Sequence, residues 1–205
     1  MGKPRTVPVN GIIRLTALAA VVSGILAGVL IPLGAPPEFD RLIAVVNVYL
    51  DTFNPAGSRF GYFTLSWLKY AQAMAAIWFL AFVPPAVLLA YGVLSVKICG
   101  LAFSVTALWY ARGADGIIYA IALLGPQNII WVPVCCYVVC GCARQAVGRA
   151  RARHIMRGTG ARAYLSGGAM AGYAYKLLVG LLASAVSAFI ETWLTPVLTR
   201  FIYLS

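Results

Sequence analysis

Uncharged apolar stretches are the feature of this sequence that most constrains its fold. Residues 15–33 carry no charged side chain, and about 20 helical residues are enough to cross a hydrocarbon core of ~30 Å. The whole chain of 205 residues is 62% hydrophobic and only 10% charged, whereas soluble domains carry about a quarter charged residues. One soluble core cannot bury so much apolar surface. The sequence therefore predicts an all-α, polytopic transmembrane helix bundle.

Hydropathy divides the chain into about five predicted spans, which together form one transmembrane domain over residues 1–205. The spans cover about residues 15–33, 70–91, 94–110, 116–142 and 172–203. The segments between them include an external loop, residues 34–69, and a cytoplasmic arginine-rich loop, residues 143–171.

Basic residues set the expected orientation of these spans. The net charge is +11, and residues 143–162 contain six arginines and no acid. Because cytoplasmic loops are enriched in Lys and Arg, this segment predicts an N-terminus inside and a C-terminus outside the cytoplasmic membrane. The same placement between apolar stretches argues against nucleic acid as a partner. Arg149, Arg153 and Arg157 share one helical face, which predicts contact with anionic lipid. The alternative is that the loop only sets the membrane topology.

Prolines predict several helix breaks. Pro84 and Pro85 fall inside the second predicted span, and Pro196 falls inside the fifth. The fourth span holds Pro126 and Pro133, with two polar residues directly after the first of them. We therefore expect a broken or kinked fourth span, which either faces the bundle interior or consists of two half-helices, re-entrant or not.

Polar side chains inside the predicted spans are the candidate functional residues. Lys97, Gln127, Asn128 and Glu191 form a predicted intramembrane polar cluster. An intramembrane carboxylate is costly, so Glu191 should pair with Lys97, with the Gln127/Asn128 amides, or with Arg200. Two interpretations stay open at this point: a polar conduction path, or a satisfied cluster that fixes helix registry.

Two apolar patterns indicate packing surfaces. Gly24 and Gly28 form a small-xxx-small face in the first span, which predicts close helix packing either within the chain or in a homodimer. In the external loop, residues 41–53 predict a short amphipathic surface helix. Its stripe of residues that would face lipid or a partner protein consists of Leu42, Val45, Val46 and Tyr49.

Catalytic signatures are missing from the sequence. It has no GxxxxGK[ST] phosphate loop, no HExxH zinc helix and no GxSxG nucleophile elbow. With five acids and one histidine, little remains for acid–base chemistry or a metal site. We expect no enzymatic activity, no metal and no cofactor.

Two motifs resemble the stage II sporulation protein M family of bacterial membrane proteins. Residues 124–133, LGPQNIIWVP, look like that family's Pro-Gln-Asn span, which ends in a second proline. Residues 188–198, AFIETWLTPVL, are similar to its C-terminal helix with a buried Glu and a Ser/Thr-Pro pair. A Lys97-x-x-Gly100 sequence after a proline-containing span also fits. Many members of the broader family have Pro-His-Gly where this chain has Pro126-Gln127-Asn128.

This resemblance implies a non-enzymatic membrane scaffold of the sporulation engulfment machinery. Such a scaffold recruits the peptidoglycan-degrading stage II sporulation proteins D and P at the mother-cell membrane. The alternative is a small transporter or channel with a polar path at Gln127, Asn128 and Glu191. A chain of this size would need partners to enclose a path, so homodimerisation is worth testing under both hypotheses.

Overall fold

The structure, a computed structural model, describes residues 9–34, 59–82, 86–155 and 167–198. Every regular element in these ranges is helical, which confirms the predicted all-α fold for the described part of the chain. The elements are α1 (Val9–Gly34), α2 (Arg59–Leu80), α3 (Ala86–Ile155) and α4 (Gly167–Phe189), with a π-helical turn (Ile190–Leu194) after α4. Several predicted features lie outside the described residues: Leu42, Val45, Val46, Tyr49, Pro84, Pro85, Arg157 and Arg200.

Helix α3 is a helical hairpin rather than one straight rod. Gly113 has φ 61° and ψ −135°, a conformation that is far from helical and that strongly favours glycine. Just beyond it, a side chain at Gly116 would overlap the backbone carbonyl of Leu108, so the chain folds back tightly on itself. We call residues 86–112 the first arm and residues 114–155 the second arm.

The helical rods alternate in direction along the described chain. A hydrogen bond from the Tyr91 hydroxyl to the Ile13 carbonyl (2.9 Å) places α1 parallel to the first arm. Contacts between Tyr62 and Glu191, and between Trp78 and Tyr173, place α2 antiparallel to α4. We call the end of the bundle that holds residues 10–14, 78–82, 86–91, 140–149 and 173–176 the basic end. The opposite end, with Gly113, is the hairpin end.

Apolar residues fill the inside of the bundle and also cover its outside. Met74, Ile77, Leu94 and Val138 are fully buried between α2 and the two arms of α3. Large apolar side chains also point outward, and Leu88 is 77% exposed. Such a surface is suited to lipid rather than water. Three helical stretches are long and apolar enough to cross a membrane: Asn10–Pro32, Val87–Arg149 and Ala171–Leu198. The chain is therefore compatible with a multi-pass membrane protein.

The face formed by Gly24 and Gly28 packs within the chain. A Cβ atom built at Gly24 would lie 2.6 Å from the Ser95 carbonyl oxygen, and one at Gly28 would overlap the Cys99 carbonyl. The hydroxyls of Ser23 and Ser95 meet at 3.2 Å beside this contact. Because these glycines lack side chains, α1 and the first arm approach backbone to backbone.

The predicted second helix, residues 70–91, was wrong in its bounds. Helix α2 begins at Arg59 and ends at Leu80, and α3 begins at Ala86, so the predicted span coincides with neither helix. Residues 59–69, which were assigned to the external loop, belong to α2. Hydropathy missed them because the charged residues Arg59 and Lys69, both exposed in the structure, lower the average over this stretch.

The second arm is not broken at either of the two prolines for which a break or a kink was predicted. Pro126 and Pro133 both lie inside the second arm, and Gly113 is the position where α3 leaves helical geometry. A proline removes one backbone donor from a helix, and the second arm nevertheless continues past both prolines. The second arm also continues to Ile155, so the start of the predicted arginine-rich loop is helical.

Candidate functional site

Gln127 is the centre of a buried polar cluster near the middle of the second arm. Its side chain is only 3% exposed. The amide Nε2 donates to the Leu123 carbonyl at 2.6 Å, and Oε1 accepts a hydrogen bond from the Thr195 hydroxyl at 3.4 Å. Its backbone carbonyl accepts from the Ser187 hydroxyl at 3.2 Å. We call Gln127, Ser187 and Thr195 the glutamine cluster, and it joins the second arm to α4 and the turn after it.

Asn128, the next residue, faces a different environment. Its Nδ2 atom donates to the Leu124 carbonyl at 2.6 Å, within its own helix. The residue is half-buried and lines an apolar groove of about 560 Å³ between the two arms of α3. The other groove residues are apolar and include Leu101, Val105 and Ile121. Asn128 therefore stabilises its own helix turn and does not extend the glutamine cluster.

Glu191 is held by α2, a partner that the sequence did not predict. The Tyr62 hydroxyl donates to Glu191 Oε1 at 3.1 Å, and Tyr70 is a second phenol close to the same carboxylate. Glu191 itself is half-buried. We call Tyr62, Tyr70 and Glu191 the glutamate site. It ties α2 to the π-helical turn, as does the ring contact of Phe63 with Trp193 at 5.6 Å.

The π-helical turn, Ile190–Leu194, sets where Glu191 and Thr195 point. The backbone N–H of Thr195 bonds to the Ile190 carbonyl, five residues back, and its hydroxyl lies 3.4 Å from the same oxygen. Pro196 follows directly and has no N–H to continue the regular helical pattern. The helix break predicted at Pro196 is therefore a local widening of the helix. This widening rotates Thr195 toward Gln127 while Glu191 faces α2.

Trp131 lies next to the glutamate site with an unusual feature. Its ring is 5.7 Å from that of Tyr70, and the residue is 3% exposed. The indole Nε1 atom is buried and has no hydrogen-bond partner in the described part of the chain. A buried N–H group without an acceptor costs about 1–3 kcal/mol. The Trp131 indole N–H group is therefore still able to donate a hydrogen bond at this site.

Lys97 does not join the predicted polar cluster. It lies on the exposed face of the first arm, because Leu94 and Ile98 turn the other face of that helix into the core. Arg149 packs closer to the bundle than expected: its guanidinium lies 4.1 Å from the Phe82 ring centre and donates to the Ala81 carbonyl at 3.4 Å. The side chain of Arg153, like the whole of Arg157, lies outside the description. Lipid contact by these arginines stays a prediction.

The structure thus splits one predicted cluster into two adjacent sites. Sequence reasoning identified Gln127 and Glu191 but missed Ser187 and the two tyrosines of α2. Ser187 gave no signal because serine is common on helix faces. Tyr62 was placed in a loop, where an interaction with Glu191 was not considered.

The chemistry available at the two sites is hydrogen bonding between helices. Hydroxyl, amide and carboxylate groups from α2, the second arm and α4 contact one another over short distances. Interhelical hydrogen bonds of this kind fix the rotation and depth of neighbouring transmembrane helices. Comparison of the chain with protein-family models, with curated proteins and with solved structures finds no match.

Proposed function

We propose that this chain is a non-enzymatic membrane scaffold with five spans: α1, α2, the two arms of α3, and α4. The observation that carries the proposal is the contact of Gln127 with Ser187 and Thr195. It joins the helices that bear the two motifs of the sporulation-family resemblance. The polar groups of those motifs are used to hold helices in register, as expected of a scaffold with a fixed shape.

Helix lengths support the five-span arrangement. From Gly113 to Arg144 the second arm rises about 46 Å at ~1.5 Å per residue, close to the ~40–45 Å of a bilayer with its headgroups. Helix α2 is too polar to be identified as a membrane span by its hydropathy. However, it runs beside α4 from Tyr62 to Trp78, a rise of about 24 Å, and it is hydrogen-bonded to that helix and the turn after it near both ends of this stretch.

Charge supports an orientation with the basic end in the cytoplasm. The arginines of the second arm lie at or beyond this end. Helix α1 also starts at this end and carries Arg14 in its second turn. By the positive-inside rule, the N-terminus is inside and the C-terminus outside a bacterial cytoplasmic membrane. Cysteines placed at Asn10 and Ala114, in a chain without its native cysteines, test this. An impermeant maleimide should label Ala114→Cys, and not Asn10→Cys, in intact cells.

The partners follow from the resemblance. On this proposal the hairpin end and the outer loop face the cell wall, where they recruit the stage II sporulation proteins D and P during engulfment. Membrane lipids surround the apolar outer surface, and a homodimer is compatible with this arrangement. A tagged chain purified from sporulating cells in mild detergent should carry peptidoglycan hydrolases with it. If no hydrolase is enriched over an untagged strain, the scaffold proposal fails.

One observation favours the alternative, a small transporter or channel. The unpartnered indole N–H of Trp131 lies beside the glutamate site, where a passing polar solute would find a donor and a carboxylate. This hypothesis predicts solute flux in proteoliposomes that is lost in Glu191→Gln and in Gln127→Leu. A matched Gln72→Leu variant, altered at an exposed position of α2, should retain the flux. Proteoliposomes without flux in the wild type would remove this alternative.

A further inference from the structure

Basic side chains from three helices converge at the basic end of the bundle. Arg14 on α1, Arg144 on the second arm and Lys176 on α4 all lie within direct electrostatic range of Cys140. Lys176 lies within the same range of Arg144. We call these three residues the cation cluster. It differs from the arginine face at Arg149, Arg153 and Arg157.

Packing holds the members of the cation cluster in place. The stem of Lys176 crosses the second arm at Gly141, where a Cβ atom would lie 2.6 Å from Lys176 Cδ and 3.1 Å from Nζ. Arg144 lies one turn further along the same arm. Arg14 follows Ile13, whose carbonyl accepts the Tyr91 hydroxyl, and Tyr91 in turn lies within electrostatic range of Arg144. Helix packing therefore sets the backbone positions of Arg14 and Arg144, and the contact at Gly141 places the Lys176 stem.

The described residues supply no carboxylate to neutralise this cluster. Asp115 and Glu191 are the two acids they include, and both lie toward the hairpin end. From Lys176 to Glu191, α4 and its π turn rise about 22 Å. Like charges held close together destabilise a fold unless an anion binds between them.

We propose that the cation cluster binds the phosphate group of an acidic phospholipid. A phosphate accepts several charge-assisted hydrogen bonds at once, and basic pockets between transmembrane helices suit acidic headgroups. Exposed large side chains continue from the cluster along two of these helices: Leu18 lies one turn from Arg14, and Tyr137 lies two turns from Arg144. They provide a surface for the acyl chains of a phospholipid, and a soluble phosphate has no such chains. The inference requires that the basic end lies in a headgroup layer, on either side of the membrane.

The test uses the full chain in maltoside detergent and follows its thermal unfolding temperature. Three additives are titrated separately: dioctanoyl phosphatidylglycerol, dioctanoyl phosphatidylcholine and inorganic phosphate. We expect a saturable rise with phosphatidylglycerol alone. The variants Arg14→Gln, Arg144→Gln and Lys176→Gln should each raise its midpoint concentration about five-fold, the factor that corresponds to ~1 kcal/mol per cation. Arg59→Gln, the matched change at an exposed position of the hairpin end, should leave the midpoint unchanged.

A second variant tests the geometry without changing the charge. Gly141→Ala should displace the Lys176 stem and raise the phosphatidylglycerol midpoint, while the unliganded unfolding temperature reports whether the variant still folds. The proposal is overturned if a triple Gln variant retains the wild-type midpoint, or if phosphatidylcholine acts equally well. A shift reproduced by inorganic phosphate alone would overturn the lipid assignment. Cysteine labelling of the two bundle ends tests the topology independently of this result.

Discussion

Removing the Tyr62 hydroxyl group tests whether the glutamate site fixes α2 against the end of α4. Tyr62→Phe keeps the ring and deletes the donor to Glu191 Oε1. Since the donor and acceptor belong to residues far apart in the chain, their hydrogen bond contributes to helix docking and not to the stability of either helix alone.

The expected magnitude follows from the geometry. The O–H···O distance of 3.1 Å is slightly longer than the usual 2.5–3.0 Å, so the bond is of ordinary strength. Interhelical hydrogen bonds in membrane proteins contribute about 0.6 kcal/mol on average and up to about 1.7 kcal/mol. We expect a coupling free energy of about 1 kcal/mol between Tyr62 and Glu191, obtained from a double-mutant cycle with Tyr62→Phe and Glu191→Ala.

The assay is reversible unfolding in mixed micelles, titrated with a denaturing detergent and followed by tryptophan fluorescence. Tyr175→Phe is the matched control, because Tyr175 is 60% exposed on α4. It should change the free energy of unfolding by less than about 0.5 kcal/mol. A coupling energy near zero, or an equal loss in Tyr175→Phe, would refute the role assigned to the Tyr62–Glu191 contact.

Three further perturbations test other parts of the fold. Gln127→Leu should lower the free energy of unfolding by about 1–2 kcal/mol in the same assay, because it removes the hydrogen bonds of the Gln127 amide group to Leu123 and Thr195; an unchanged stability would count against the glutamine cluster. Gly113→Ala should cost about 1–3 kcal/mol, since φ is 61° there, and a neutral result would show a different hairpin turn. Cysteines at positions 23 and 95, in a chain without its native cysteines, should form a disulfide within one chain under oxidation; a band of dimer mass on a non-reducing gel would instead place this contact between two copies.

Hydropathy was sufficient for the helical class and for two regions of the chain. The first predicted span lies inside α1, and the prediction of a turn between residues 110 and 116 matches the turn at Gly113. These features were predictable because uncharged apolar stretches and a short polar interruption are local properties of the sequence. The prediction failed for α2, where the charged residues Arg59 and Lys69 lowered the average hydropathy of a helix that packs in the bundle.

The candidate site shows the same division. Gln127 and Glu191 were identified because polar residues in apolar stretches are conspicuous, but their partners were not. Tyr62 and Ser187 are ordinary residues in the sequence. Only the packing of α2 beside α4, and of α4 beside the second arm, brings them to the polar atoms they contact. Likewise, the sequence grouped Lys97 with Gln127, whereas the rotation of the first arm turns Lys97 outward.

By itself, then, the sequence determined that the chain is a set of apolar helices with its basic charge concentrated in a few segments, because hydrophobicity and charge are summed residue by residue. The tertiary structure decided which helix faces which, since this depends on close approaches such as Gly24 against Ser95 and on hydrogen bonds between distant residues. It also decided that Pro126 and Pro133 leave the second arm intact. Whether a helix continues past a proline depends on how the whole segment packs, which a count of helix-breaking residues does not include.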